Sequence, residues 1–325
     1  MSSDPNETER NPPILHAPAS DWADEETSTR LTDSAIAAQA AQTKASPRAL
    51  LTIISGPNAG RAFSLRNGDT LIGRGRESHV RIDDGGASRV HARIVVAEGG
   101  RHTIEDLGST NGTFVAGRRI EGVTELSSGD RINIGPNVGV SFSILDAQAE
   151  MMVHELYESA VRDALTKAHN RRYLVERLTS EIAYAKRHVT RLALILFDID
   201  HFKRVNDAYG HLAGDDALRE ISALVSRLIR AEDVFARFGG EEFVVLARGI
   251  EHANAGLFSE RLRSSVERLD IRSEGAVIHV TISVGYASLD ELAEPERSAE
   301  GLIRLADERL YHAKSGGRNR VRGGE

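Results

Sequence analysis

Around residue 145 the hydrophobic pattern of this chain changes period, and that change constrains its fold more than any single motif does. From about 49 to 145 the apolar residues fall in short alternating runs: "ALLTIIS", "RAFSL", "VRI", "VHARIVVA", "RHTIEDL", "GTFVAG", "DRINIG" and "VSFSIL". Gly, Asn, Asp and Pro separate them, and no helical period intervenes. Many short strands with frequent turn signals predict an all-β sandwich. After Leu145 the pattern turns helical. Met152, Leu156, Tyr157, Ala160 and Val161 recur at helix spacing in a connecting segment. Beyond it, "NRRYLVERLTSEIAYAKRH", "DDALREISALVSRLIR", "SERLRSSVERL" and "LIRLADERLYHAKS" alternate with the strand-like "RLALILFDI", "DVFARF", "FVVLAR" and "VIHVTISVGYAS". That alternation predicts layered helices and sheet. The fold class is thus multi-domain, an all-β sandwich followed by an α/β (α+β) domain.

The expected division is a disordered regulatory tail over 1–47, the sandwich over 48–145, a linker helix over 146–162 and the α/β domain over 163–325. The tail is rich in Pro, Ser, Thr, Asn and acids, and buries too little apolar surface to offset its ordering entropy. Within it, "TDSAIAAQAAQTK" is alanine-rich enough for a transient helix. A net charge of -7 and pI near 6.0 argue against a general nucleic-acid binder. The absence of cysteine excludes thiolate chemistry and suits a reducing cytoplasm. No apolar h-region follows the N-terminus and no run of about 18 apolar residues occurs, so neither a secretory signal nor a membrane span is expected.

The run "LALILFDID" ends in Asp198 and Asp200, acids at a sheet margin where metal and phosphate sites are commonly built. "DVFARF" and "FVVLAR" flank "GGEE" and predict a hairpin whose turn needs glycine at positive φ. If that hairpin lies beside "FDID", Asp198 converges with Glu241 or Glu242, and such hard oxygens suit Mg²⁺; the alternative is an ordinary acidic turn. In "VNDAYGHLAGDDAL", Asp215 falls near a helix start, as an N-cap or as an acceptor for a guanine edge shared with Asn206. In "YHAKSGGRNR", Lys314 and Arg318 either complement a helix dipole or hold nucleotide phosphates.

Six stretches together, "DALTKAHNRRYL", "FDIDHFKRVND", "GHLAGDDAL", "RFGGEEF", "SVGYA" and "ADERLYHAKSGGRNR", resemble the GGDEF family of diguanylate cyclases over residues 163 to 320. The resemblance implies a nucleotide-cyclase-like fold and the joining of two GTP into cyclic di-GMP, with loss of two pyrophosphates. It implies that Asp198 and the Ile199 carbonyl bind Mg²⁺ (or Mn²⁺), with Glu241 in the metal and catalytic role and Glu242 close by. Phe202 and Lys203 then lie against the triphosphate, Asn206 and Asp215 read guanine beside His211, and Lys314 and Arg318 take the phosphates. The third signature residue is Glu rather than Asp, and "LTKAHNRR" lacks the family's usual Gly-Leu. Two such domains must face each other, so a homodimer is expected for catalysis. In "RAED", Arg230 and Asp233 are a surface ion pair on the plain reading and a product-inhibition site by the resemblance, with Arg261 or Arg263 completing it.

"LIGRGRESHVRI", "ASRVHARI" and "DLGSTNGTFVAG" resemble the forkhead-associated (FHA) family of phosphothreonine-binding sandwiches over about 50 to 145. By position this implies that Arg74 and Ser88 hold the phosphate with Thr110 assisting, and that Asn111 and Arg89 contact the peptide while His91 braces the loops. The tail carries Thr8, Thr27, Thr29, Thr32 and Thr43, so the expected partners are a Ser/Thr kinase and a phosphothreonine peptide, from this tail or another protein. Together these point to a cytoplasmic, phospho-regulated diguanylate cyclase. The alternative is a catalytically silent cyclic di-GMP receptor docked through its FHA domain.

Overall fold

The computed structural model describes residues 47–97 and 100–324. The expected tail, with its threonines and alanine-rich segment, lies outside the described residues apart from Pro47. Among the described residues no helix is long and apolar enough to cross a membrane.

The sandwich is built from β1 (Arg48–Ser55), β2 (Ala62–Ser64), β3 (Gly68–Gly73), β4 (Val80–Arg81), β5 (Ala92–Val96) and β6 (His102–Asp106). It is completed by β7 (Thr113–Val115), β8 (Arg118–Arg119), β9 (Thr124–Leu126), β10 (Arg131–Ile134) and β11 (Val138–Leu145). One sheet runs β2-β1-β11-β10-β7-β8 and the other β4-β3-β5-β6-β9. Alternation decides what faces inward: Ala92, Ile94 and Val96 of β5 are buried while Arg93 and Val95 between them are not. Ile53, Ile72, Ile104, Ile132 and Phe142 fill the space between the sheets.

The second domain has a central sheet ordered β13-β14-β12-β17-β18. Its strands are β12 (Leu192–Ile199), β13 (Val234–Gly239), β14 (Glu242–Arg248), β17 (Ile282–Ser288) and β18 (Val321–Arg322). Pairing is antiparallel except between β17 and β18. The expected strand "VIHVTISVGYAS" divides in two. Its first part, β16 (Ala276–Ile278), pairs with β15 (Ile271–Ser273) as a separate hairpin, and only β17 joins the main sheet.

All eight residues of β12 are buried, because helices cover both faces. Ala193, Ile195, Phe197 and Ile199 pack with α3 (Phe202–Tyr209), α4 (His211–Leu228) and α5 (His252–Glu267). Leu192, Leu194 and Leu196 pack on the other side with α2 (Arg171–His188) and α6 (Ala299–Ser315). The linker helix α1 (Ala147–Val161) starts at Asp146, whose carboxylate accepts from the Ala149 N–H. Its apolar residues split: Tyr157 lies against Gly60 and Val161 is buried, whereas Met152 and Leu156 are exposed.

The two domains meet along a line of alternating charge. Arg177 Nη2 lies 2.9 Å from Asp83 and 2.8 Å from Glu181, while Arg248 Nε reaches Glu181 at 2.8 Å and Arg81 Nε reaches Asp83 at 3.1 Å. Arg177 is only 9% exposed and Glu181 is buried too, so these two ions have left water and depend on their neighbours. Burial pushes the Asp83 carboxyl up, but Arg177 and Arg81 outweigh it and hold the group below its ordinary value. For Glu181 burial prevails over Arg177 and Arg248, and its carboxyl lies above its ordinary value.

Candidate functional site

The signature turn is fixed from both ends. β13 and β14 form the expected hairpin, and Gly240 takes a positive φ of 31° while Gly239 does not. β14 lies beside β12 with Glu242 opposite Asp198, and the Ile199 N–H points at the Glu241 carbonyl at 3.4 Å. The hairpin therefore brings the signature glutamates to the end of the "FDID" strand, beside Asp198. Arg237 clamps the turn in a way the sequence did not show. Its guanidinium donates to the Gly240 carbonyl at 2.6 and 2.8 Å and to Asp163 at 3.1 Å. Asp163 in turn accepts from the Thr166 N–H and hydroxyl, so the "DALT" segment after the linker helix braces the signature.

Asp198 and Asp200 do different work despite their spacing. Asp198 is 8% exposed and pairs with Lys314 at 2.8 Å. Burial lifts its carboxyl to about 6; Lys314 opposes this, and Glu241 and Glu242 add to it. Asp200 is saturated by the Thr281 hydroxyl at 2.7 Å, the Ser283 hydroxyl at 2.6 Å and the Asn319 N–H at 3.0 Å. It ties the C-terminal turn to the sheet.

Among the described residues no group of three or more His, Asp or Glu side chains forms a ready metal cage. A hard cation of the Mg²⁺ kind is commonly held by one or two carboxylates together with substrate phosphates. A buried carboxylate whose charge is penalised by neighbouring acids is a fitting ligand for such a cation.

Beside the signature lies a cleft of about 320 Å³ that collects Phe202, Lys203, Asn206, His211 and Asp215 with Glu241 and Arg237. Asp215 is not an N-cap. Gly210, at φ 86°, ends α3 and precedes α4, which begins at His211, so Asp215 lies in the second turn and faces the cleft. Gly214 explains how Asn206 fits against α4, since a Cβ there would lie 1.9 Å from Asn206 Oδ1. Lys314 reaches the site through Asp198, whereas Arg318 stands on an exposed turn with φ 61°.

Arg230 and Asp233 do not make the plain ion pair. The Asp233 carboxylate accepts the main-chain N–H groups of Arg230 at 3.0 Å and Arg248 at 3.2 Å, leaving the Arg230 side chain exposed. Both line a cavity of about 440 Å³ with Arg261. Arg263 points elsewhere, tied to Glu260, Glu267 and Asn319.

In the sandwich, the Arg74 N–H donates to the Ser88 carbonyl and the Gly75 N–H to the Arg89 carbonyl, both at 2.9 Å. Gly73 permits this approach: a Cβ there would lie 2.3 Å from the Arg89 carbonyl oxygen. The Ser88 hydroxyl accepts from the Thr110 N–H at 3.1 Å. His91 is fully buried and joins the two loops, its Nδ1 accepting from the Ser88 N–H and its Nε2 donating to the Gly112 carbonyl. Burial holds its pKa below the ordinary value, which keeps the ring neutral and able to accept at Nδ1. The Asn111 amide donates to the Gly86 carbonyl at 2.8 Å, bracing the loop. The guanidinium-bearing Arg74 and Arg89 are exposed.

Two family models match the chain in order, FHA domain over residues 70–135 and diguanylate cyclase GGDEF domain over 160–320. Diguanylate cyclase DosC of Escherichia coli (strain K12) is 37% identical over 181 residues, 54% of this chain and 38% of that relative. Response regulator PleD of Caulobacter vibrioides is 39% identical over 168 residues, 51% of this chain and 36% of that protein. The chain thus spans well under half the length of these curated relatives. The coiled coil and GGDEF domain of DgcB from Caulobacter crescentus, solved in complex with c-di-GMP, matches with TM-score 0.51 and 28% identity, over 55% of this chain and 92% of that one.

Proposed function

Because residues 160–320 belong to the GGDEF family and residues 70–135 are an FHA domain, we propose that this chain is a diguanylate cyclase whose output is set by phosphothreonine recognition and by its own product. One observation carries the catalytic reading. A single cleft gathers Phe202, Lys203, Asn206, His211 and Asp215 with Glu241, at the point where Glu242 lies opposite Asp198. Asn206 and Asp215 offer an amide and a carboxylate to one guanine, a donor and acceptor pairing that rejects bases lacking the complementary groups. Lys203 and Lys314 supply positive charge for the triphosphate, and Arg318 stands on the turn beyond. Glu241 would accept the proton of the attacking 3'-hydroxyl as the bond to the α-phosphorus forms and pyrophosphate leaves. Asp198, the Ile199 carbonyl and the signature glutamates would hold Mg²⁺, which supplies charge neutralisation and a lower hydroxyl pKa. Each domain presents one such cleft, so the reaction needs two copies facing across a two-fold axis.

Arg74, Ser88 and Thr110 would take a phosphothreonine, since an arginine and loop hydroxyls suit a dianionic oxygen cluster. The threonines of the tail are the nearest source of that ligand, at the high effective concentration of a tethered segment. Product would be held in the cavity of Arg230, Asp233 and Arg261.

Incubation of purified protein with GTP and Mg²⁺, followed by separation of nucleotides, tests the enzyme. Cyclic di-GMP should accumulate in the wild type and vanish in Glu241→Ala with the fold unchanged. No product at any protein concentration, with or without phosphorylated tail peptide, would overturn the assignment.

A further inference from the structure

The cavity beside Arg230 continues past the cyclase domain. Arg230, Arg248 and Gly249 line it with Asp233 and Arg261. The same three residues line a cleft of about 950 Å³ whose opposite wall is the FHA domain, including Arg74, Arg76 and Arg89. The FHA phosphate-side arginine and the first residue of the product motif therefore face one continuous space. Its acids are outnumbered: Glu77, Glu181 and Glu232 share the lining with seven arginines, and Glu181 is already held between Arg177 and Arg248. Exposed guanidinium stands on both walls, at Arg74 and Arg89 on one side and at Arg230 on the other, with the exposed acids Glu77 and Glu232 among them.

The geometry points to a composite anion site in which a phosphothreonine peptide on the FHA domain and cyclic di-GMP on the cyclase domain occupy overlapping ground, so that each weakens the other. This rests on the reading of the two domains given above. A phosphopeptide seated at Arg74 extends beyond its phosphate at about 3.3 Å per residue, so a few flanking residues carry it to the wall that holds Arg230. Both ligands bring phosphate charge into one cleft, the peptide anchored on Arg74 and the dinucleotide on Arg230 and Arg261. The ion pair of Arg177 with Asp83 ties the two walls together and resists their drifting apart to make room for both ligands. Linkage makes the effect reciprocal: capture of a phosphorylated segment lowers product affinity by the same factor by which product lowers peptide affinity. The consequence is a cyclase released from product inhibition when its FHA domain is filled.

The test is titration of cyclic di-GMP into the dephosphorylated full-length chain, alone and with saturating synthetic peptides covering the tail with Thr27, Thr29 or Thr32 phosphorylated. Peptide that binds should weaken the dinucleotide by about tenfold, within the usual range of coupling between sites. The unphosphorylated peptide should do nothing, and Arg74→Ala should lose peptide binding and the coupling while keeping its affinity for the dinucleotide. Peptide that binds while dinucleotide affinity is unchanged or tighter overturns the coupling alone. Failure of every phosphopeptide to bind the wild-type chain overturns the FHA reading and the coupling with it.

Discussion

Alanine at Gly214 separates the stability of the second domain from the position of Asn206, the amide proposed to read guanine. Gly214 lies inside α4 and is buried. A Cβ there would lie 1.9 Å from Asn206 Oδ1, 3.1 Å from its Cγ and 3.2 Å from Phe202 Cζ. Alanine favours a helix interior over glycine by about 1 kcal/mol, so the backbone gains. The clash is relieved when the half-buried Asn206 amide swings away, and this offsets part of that gain. Net stability should therefore stay within about 1 kcal/mol of the wild type, a shift of a few degrees in Tm. Asn206 cannot keep its place. If its amide reads guanine, losing those hydrogen bonds removes about 1–3 kcal/mol of binding. That corresponds to a rise of about 5- to 150-fold in KM for GTP. Initial-rate kinetics over a GTP series, beside thermal denaturation and cyclic di-GMP binding, measure all three quantities. Asn206→Ala should show the same KM, and the double variant should be no worse than either single one, because both remove one interaction. A KM within about twofold of the wild type, or fully additive effects in the double variant, would refute the placement of Asn206 on the base.

Two further outcomes follow from charge. Burial lifts Asp198 from 3.8 to about 6, so the folded state disfavours its ionised form. The destabilisation is absent below the unfolded pKa, grows as pH rises from 3.8 to about 6 and is complete above that. In metal chelator, Asp198→Asn should thus raise Tm at pH 8, by the equivalent of about 2–3 kcal/mol, and leave it nearly unchanged near pH 4, while abolishing turnover. A lower Tm at pH 8 would contradict the burial argument. Inhibition curves for cyclic di-GMP distinguish the neighbouring arginines: Arg230→Ala and Arg261→Ala should each weaken inhibition by about tenfold, the worth of one charged hydrogen bond. Arg263→Ala should leave inhibition intact, because that side chain is occupied by Glu260, Glu267 and Asn319.

What the sequence disclosed was what repeats locally. The continuous apolar run of β12, the alternation of β5 and the glycine-bearing hairpin all have a period or a turn that can be read residue by residue. Pairings between distant residues have none. Asp200 sits two positions from Asp198, yet its partners are Thr281, Ser283 and Asn319, and only the register of β12 against β17 brings them to it. The Arg237 clamp on Asp163 has the same origin. The N-cap alternative for Asp215 fails because the helix begins four residues earlier, at His211, and the single Gly210 that ends one helix and precedes the next does not disclose where the next turn starts. The split of "VIHVTISVGYAS" was likewise hidden, since both halves are apolar and only their partners differ.

The line Arg81, Asp83, Arg177, Glu181 and Arg248 also bears on how far the two halves can be exchanged. Modular signalling proteins are often treated as cassettes, with one sensor replaced by another upstream of the same output. Here a foreign sandwich without an acid in the place of Asp83 would strand Arg177 at 9% exposure with one of its two carboxylates gone. Breaking a buried pair from one side costs about 3–5 kcal/mol, a large part of what holds a domain folded. A chimera that swaps only the sandwich should express poorly, and one that carries residues 81–83 together with 177–181 should not. Compatibility between sensor and output is thus written in a handful of charges at their border.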